Sequence, residues 1–502
     1  MSGRDEGETG GYMAVEGRRK GRVAAIACFA AMCGFAPSAV AAHAPGVAKP
    51  TGLRCDSLIQ PLGIDTAKPV LSWRLVDDRD GAKQTSYEIT VSSSASGKAK
   101  IWDSGRITSA LSSGVPYGGP ALEPSHRYFW WIAAWDRNGK AYPVSDTSWW
   151  ETGLMEPTNW KAVWIGHEPA ELHSLRESHA AWISNAKVPG YATRGDTHHD
   201  FRFQFSLSKP VERADLYTTG EDATSAWVNG KQVRVAEALP KWKQMPWGTY
   251  EKQEVTAELR AGANLIAVEV THFDVSSGKA TPVDTQTPMS MCLYLVYRDG
   301  TTELLSSASP GWKASLNAEG DWYAPDFADV AWAGAERYVP HADSFGARSE
   351  GLPWPTGPVA ILRRSFEERK PISSARLYAT AMGAYKFHLN GEVVGDQILA
   401  PGWMDFREHV PYQVYDVTKQ VHAGKNAIAA LLAPGWYSTP LMWSRQGNNY
   451  GATQPALKAE LRIEHTDGSV EWIATDDAWK ADMSAITTAE IYDGETFDAR
   501  AV

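Results

Sequence analysis

The feature that most limits how this chain folds is an internal repeat, far too long in period for a solenoid. KPVERADLY begins at Lys209, and KPISSARLY begins at Lys370, 161 residues later. WVNGKQV around Asn229 is answered at the same offset by HLNGEVV around Asn390. VTAELRAGANLIAV from Val255 returns as VTKQVHAGKNAIAA from Val417, and Trp312-Lys313-Ala314 returns as Trp479-Lys480-Ala481. Chance supplies one such match, hardly four in one order. Each copy is therefore a whole domain, and the offset drifts where loops differ in length.

The local pattern is that of strands. Tyr87, Ile89 and Val91 alternate with Glu88 and Thr90, the two-residue period of a half-buried strand. YFWWIAAW, from Tyr128 to Trp135, is apolar on both faces, as in a strand covered on both sides. Asn138-Gly139, Asn229-Gly230, Asp299-Gly300, Asn390-Gly391 and Asp467-Gly468 are hairpin signals, because Gly and Asn tolerate the positive φ of a tight turn. Sustained helical periodicity is nearly absent. The expected fold is all-β: tandem β-sandwiches, one fibronectin III or immunoglobulin-like and two homologous and jelly-roll-like. The first sandwich is expected over 48–156, repeat one over 157–345 and repeat two over 346–502, with GLPWPTGP from Gly351 as the linker between the repeats. Residues 167–200 read as a loop or insertion before the strand FRFQF.

The first 41 residues read as a signal peptide. Arg18, Arg19, Lys20 and Arg22 form a basic start, Val23 to Ala36 is an apolar stretch too short to span a bilayer, and Ala39-Val40-Ala41 fits a small-x-small cleavage site. The expected location is periplasmic or secreted, with no membrane span after signal cleavage. Of four cysteines, Cys28 and Cys33 leave with the signal. Cys55 and Cys292 are too few for a disulfide framework. The net charge of −10, with no basic run to offset it, argues against nucleic acid as a partner. Trp is over-represented, with 22 residues. Most are expected in sandwich cores and a few as sugar contacts, since an indole plane fits the apolar C–H face of a pyranose.

No nucleophile elbow, phosphate loop, dinucleotide fingerprint, H-E-x-x-H or C-x-x-C occurs. DTHHDF places His198 and His199 between Asp196 and Asp200, which are metal-ligand types. Neighbouring residues on a strand point to opposite faces, so a solvated loop is the preferred reading, and no metal-ligand set is legible. Repeat two holds a dense run, LAPGWMDFREHVPYQVYDVT from Leu399, followed by APGWYSTPLMW. Stacking rings beside carboxylates and amides are what sugar recognition uses. The candidate carbohydrate contacts are Asn390, Asp396, Trp403, Asp405, Trp436 and Tyr437, against the plain alternative that such aromatics fill a sandwich interior. The final segment IYDGETFDARAV brings Asp493, Glu495, Asp498 and Arg500 together. A glycosidase needs two carboxylates flanking the scissile bond, but nothing in these strands encloses one. Pairing with Arg500 or another arginine at a domain boundary is the plainer reading.

The order IQPLGID…LSWRL, LNGEVVGDQILAPGWMDF…YQVYDVT, APGWY and IYDGETFDAR resembles the ancillary region of bacterial α-L-rhamnosidases over essentially the whole mature chain. Gly391, Gly395, Pro401, Gly402, Trp403, Tyr412, Tyr415, Asp416 and Val417 match the family pattern, and Pro434 departs from it. The resemblance implies an inverting glycoside hydrolase acting on terminal L-rhamnose of glycosides or polysaccharides. It places the acid and base in an (α/α)₆ barrel that follows the IYDGETFDAR motif, so no catalytic residue is carried onto this chain. Asp493, Glu495, Asp498 and Arg500 then become candidates for the seam with that barrel. Calcium, through which a related sandwich module in the family binds rhamnose, stays open as a cofactor without matched ligands. The resulting expectation is the ancillary, carbohydrate-binding-type portion of an exported α-L-rhamnosidase, inactive on its own. The alternatives are a free-standing carbohydrate-binding or adhesion protein, and an enzyme with its site inside the sandwiches.

Overall fold

The structure is a computed structural model that describes residues 49–178, 180–188, 192–193, 196–220, 223–235, 251–272, 281–282, 286–338, 357–439, 450, 454–492 and 494–501. The expected signal peptide and residues 351–356 of the GLPWPTGP linker lie outside them. The described residues are nearly all β. Among them the α-helices are the two-turn Ala170–Glu177 and the single turn Gly435–Ser438, so they hold no helical barrel.

The first sandwich faces one antiparallel sheet, Pro50–Cys55, Val70–Leu75 and Val115–Pro116, with another built on Gln84–Ser92 and Arg127–Asp136. Its core holds Leu71, Trp73, Ile89, Trp130, Ile132 and Trp150. The YFWWIAAW strand is not buried on both faces as its composition suggests. Tyr128, Trp130, Ile132 and Ala134 point inward, while Phe129, Trp131, Ala133 and Trp135 are half-covered. Arginines cover part of that outer side: Arg106 lies 4.3 Å from the Trp135 ring centroid, and Arg127 lies 4.1 Å from that of Trp149. The guanidinium plane shields the indole while keeping its charge wet.

The two repeats share one topology. In repeat one the first sheet runs Lys231–Arg234, Ala223–Val228, Gly262–His272, Thr197–Leu207, Lys313–Leu316 and Ala333–Gly334. In repeat two it runs Glu392–Val393, Ala384–Leu389, Gly424–Ala433, Ala360–Glu368 and Lys480–Met483. The facing sheets correspond too: Val211–Gly220 pairs with Met289–Tyr297 as Ile372–Met382 pairs with Ala456–His465. Each core lies between its two sheets.

Asn390 shows why the NG motif recurs. It sits in the turn at φ 53°, and Asn229 sits at φ 51°. The Asn390 amide donates to the Gln420 carbonyl at 2.8 Å and to Asn426 Oδ1 at 2.7 Å, and its oxygen accepts from the Ala427 N–H at 2.8 Å. Asn229 makes the same three bonds to Glu258, Asn264 and Leu265. Both asparagines staple a hairpin to the next strand.

Two segments sit differently from their sequence reading. Residues 167–200 are only partly loop: Leu172 and Leu175 of the helix pack with Trp182, Tyr217, Cys292 and Tyr294 on the outside of repeat one. The segment just after the first sandwich belongs in space to repeat two. Ile165 and Leu457 exchange backbone hydrogen bonds, and buried Glu460 accepts the N–H groups of Lys161 at 2.7 Å and Ala162 at 3.0 Å. The first sandwich is held to the same repeat by a buried ion pair. Arg376 Nε donates to Glu151 Oε1 at 2.7 Å and Nη2 to Oε2 at 3.2 Å, Arg127 adds a third guanidinium contact to Glu151, and Asp416 lies 2.9 Å from Arg376.

Arg376→Met leaves the buried Glu151 Oε1 without its donor and Arg127 as the remaining guanidinium on Oε2. It is expected to destabilise the joined unit by about 3–5 kcal/mol, read as a lowered denaturation midpoint. Arg127→Met removes a more exposed partner and is expected to cost about 1 kcal/mol or less.

Candidate functional site

The densest aromatic group outside the cores lies at one end of repeat two. Ala384–Leu389 and Gly424–Ala433 bring the loop around Trp403 against the short helix Gly435–Ser438. That helix depends on Gly435, at φ 53°, where a Cβ would stand 2.7 Å from the Ala384 nitrogen. Trp403 and Trp436 stack with centroids 5.2 Å apart and planes within 13°. Trp403 Nε1 donates to the Tyr450 hydroxyl at 2.9 Å. Below them Phe406 meets Tyr437 edge-on at 5.3 Å and Tyr450 at 5.1 Å. Phe406 and Tyr437 are buried, whereas Trp403 is 55% exposed. The lower rings thus form the packing, and the upper indole is left as an open platform.

Asp405, two residues on, is held by Arg407. Nε donates at 2.9 Å and Nη2 at 2.7 Å to its two oxygens, and these bonds bring its carboxyl down to about 2. It is ionised at neutral pH and offers acceptor lone pairs two residues along the chain from Trp403. Asp396 is exposed on the loop before Trp403. The preceding turn needs Gly395, at φ 72°, since a Cβ there would fall 2.4 Å from the Tyr415 ring.

Of the six candidate contacts, Trp403 and Trp436 come together, with Asp405 adjoining in sequence. Tyr437 supports them from the interior. Both amide donors of Asn390 and one lone pair of its oxygen staple the hairpin to the next strand, away from the platform rings. Tyr412 and Asp416, from the same motif run, face the first sandwich instead. The Tyr412 hydroxyl donates to Asp65 Oδ1 at 2.7 Å and accepts the Leu154 N–H at 2.6 Å. A cavity of about 300 Å³ opens along this junction, lined among others by Asp65, Trp160, Trp164, Tyr412 and Lys458. Sequence reasoning missed Trp160 and Trp164. Only the general excess of tryptophan signalled them, and Lys458 occupies a ring face of Trp160 at 4.9 Å.

At the C-terminal end, Asp493 lies outside the described residues. Glu495 is on the exposed strand Gly494–Phe497 of a small hairpin. Asp498 is closed on Arg500, with Nη2 at 2.7 Å and Nε at 2.8 Å, which brings its carboxyl to about 2. An ionised carboxylate so engaged is a poor proton donor. The arginine pairing expected from the sequence is present, within the segment itself.

DTHHDF is not a solvated loop. Thr197–Leu207 is a strand from its first residue, His198 is exposed, and His199 and Asp200 are buried. The two rings of His199 and His198 diverge as a strand requires. His199 contacts Asn185 Oδ1 at 2.7 Å and Thr197 Oγ1 at 3.0 Å, and burial brings it down to about 3, so it is neutral. Burial pushes Asp200 up to about 7 although the Ala318 N–H donates to it. Among the described residues, the group of metal-ligand side chains that converges is Glu368, His465 and Glu471. Its imidazole is a nitrogen donor, and calcium takes oxygen ligands, so this set does not fit calcium.

The α-L-rhamnosidase N-terminal domain model matches residues 370–502, and the Rha78A-like N-terminal immunoglobulin domain model matches residues 50–156. An α-L-rhamnosidase of Streptomyces avermitilis is 37% identical over 449 residues, covering 88% of this chain and 42% of that protein. One from Alteromonas sp. is 30% identical over 317 residues, covering 57% of this chain and 32% of that protein. The crystal structure of the Streptomyces avermitilis α-L-rhamnosidase complexed with L-rhamnose is 34% identical to this chain, with a TM-score of 0.67 over 90% of this chain and 43% of that one. The chain spans less than half the length of these relatives.

Asp200 provides a pH-dependent test of the buried strand. Its native carboxyl holds a proton up to about 7, against 3.8 ordinarily. Folding therefore pays to ionise it above that pH, and the penalty fades as pH falls from 7 towards 3.8. Asp200→Asn is expected to raise the melting temperature at pH 8, with the gain shrinking towards pH 4. Equal effects at both pH values would contradict this.

Proposed function

We propose that this chain, which carries the immunoglobulin-like and N-terminal domains of α-L-rhamnosidases, is the ancillary, sugar-binding region of an exported enzyme that hydrolyses terminal α-L-rhamnosides. The observation that carries the reading is the identity to the Streptomyces avermitilis enzyme across 88% of the chain. Export rests on the basic and apolar stretches of the first 41 residues.

The chemistry proposed for the described residues is binding and positioning. Rhamnose is a 6-deoxy sugar, so its methyl group and axial C–H bonds make one side apolar. That side suits the open Trp403 face, which stacking on Trp436 holds in place before any ligand arrives. A preset ring loses little entropy on binding. Asp405, ionised and oriented by Arg407, accepts from a sugar hydroxyl. Bond cleavage needs an acid and a base across an enclosed site, and the C-terminal carboxylates are exposed or tied to Arg500. We therefore assign hydrolysis to a separate catalytic domain of the enzyme. The exposed hairpin bearing Glu495, Asp498, Arg500, Tyr492 and Phe497 is its proposed docking face.

Two measurements test this. Trp403→Ala is expected to weaken L-rhamnose binding by about tenfold, the worth of one stacking contact of about 1–1.5 kcal/mol, in calorimetric titration. Unchanged affinity removes the platform from the proposal. Purified chain is expected to leave a nitrophenyl α-L-rhamnoside intact, and turnover lost on replacing Glu495 or Asp498 would place catalysis here instead.

A further inference from the structure

The end of repeat two opposite the tryptophan platform carries three polar side chains that repeat one lacks as a set. Glu368 closes the strand Ala360–Glu368, His465 closes Ala456–His465, and Glu471 lies on the partner strand Val470–Ala474. The shared topology supplies an internal control. Glu368 pairs with Gly424 as Leu207 pairs with Gly262, and His465 pairs with Ile372 as Tyr297 pairs with Val211. Glu471 pairs with Ile463 as Glu303 pairs with Leu295. Repeat one therefore has Leu207, Tyr297 and Glu303 at these places. There the Tyr297 hydroxyl donates to the Glu303 carboxylate beside a buried leucine, and nothing further is needed.

Repeat two has exchanged that arrangement for two carboxylates and an imidazole. Glu368 is only 2% exposed. Its Oε1 accepts the Lys370 N–H at 2.8 Å and lies 3.0 Å from His465 Nε2, while its Oε2 is buried with no hydrogen-bond partner among the described residues. The tautomer of His465 follows from its other side. Nδ1 faces the Ser469 carbonyl at 3.2 Å and the Ser469 hydroxyl at 3.0 Å. The carbonyl only accepts, and the hydroxyl spends its proton on Asp467 Oδ1 at 2.6 Å. Nδ1 is therefore the protonated nitrogen. Nε2 of a neutral ring then turns a lone pair on the Glu368 carboxylate, an arrangement that a cation between them relieves. An N–H held by a backbone carbonyl while the other nitrogen faces outward is also how metal-binding histidines are oriented.

We propose that Glu368, His465 and Glu471 bind a divalent transition metal of the zinc class. Their ligand atoms all lie within 4.8 Å of one another. Bonds of about 2.0–2.2 Å to nitrogen and oxygen require them to draw in further, which the exposed Glu471 side chain is free to do. Two carboxylates and a neutral imidazole balance a doubly charged ion, and one position is left for water. The ion pins the hairpin of Ala456–His465 and Val470–Ala474 to the neighbouring sheet. It sits at the far end of the sandwich from Trp403, so its role is structural and independent of sugar binding.

The test uses the full chain stripped with EDTA and titrated calorimetrically with zinc chloride. The expected result is a single equivalent bound, with a rise in melting temperature that calcium chloride does not reproduce. Glu471→Gln changes only an exposed side chain. It is expected to lower zinc affinity by at least about tenfold, as loss of even an outer-shell partner does. The double variant Glu368→Leu, His465→Tyr installs the residues of repeat one, which pack there natively, and is expected to abolish the equivalent. Absence of zinc binding in the parent chain, or unchanged affinity in either variant, overturns the proposal and leaves a proton to hold Glu368 and His465 together.

Discussion

The contact on which the arrangement depends is the buried pair of Glu151 and Arg376. A guanidinium and a carboxylate taken out of water are tolerated only when nearly every donor and acceptor finds a partner. Here Arg127, Thr418 and Asp416 complete the set. That requirement gives the seam its orientation, because apolar surfaces alone would slide. It also explains why the connecting segment lies on repeat two. With the first sandwich locked against that repeat, Lys161 and Ala162 are carried to Glu460, and Ile165 pairs along Leu457.

The two repeats show how one sandwich serves different ends. The asparagine staples are kept in both copies because a tight hairpin has few ways to satisfy its neighbouring backbone groups. Other positions have diverged. Repeat one buries His199 and Asp200 and carries a helix on its outer sheet. Repeat two carries an exposed tryptophan on a stacked support at one end and a glutamate–histidine pair at the other. The sheets bear the stability, and the chemistry sits at their ends, where loops are free to vary.

Much of this architecture was legible beforehand. Alternating apolar residues, NG and DG turns and a recurring order of motifs identify strands and duplicated domains, since those signals are local or self-referential. The family resemblance rested on motifs in the first sandwich and repeat two, the same regions that the two domain models match. The roles of individual motif residues were less legible. Asn390 looked like a ligand contact and is a hairpin staple. Tyr412 and Asp416 belong to the same motif run as Trp403, yet they reach the seam, because Trp403 stands in the loop and the chain then enters the strand Gln413–Asp416 at the sheet edge. DTHHDF looked hydrophilic enough for a loop, but it enters a paired strand, and four of its six residues are buried.

By itself, the sequence determined an all-β chain of repeated sandwiches, and the turns that close their hairpins, because period and turn chemistry act over a few residues. Only the tertiary structure decided which aromatic residues stay open, which carboxylates are buried, and that Glu368, His465 and Glu471 meet across 103 residues of chain. Those outcomes depend on strand order and register. A shift of one residue turns every side chain to the other face, and no short stretch of sequence records which register wins.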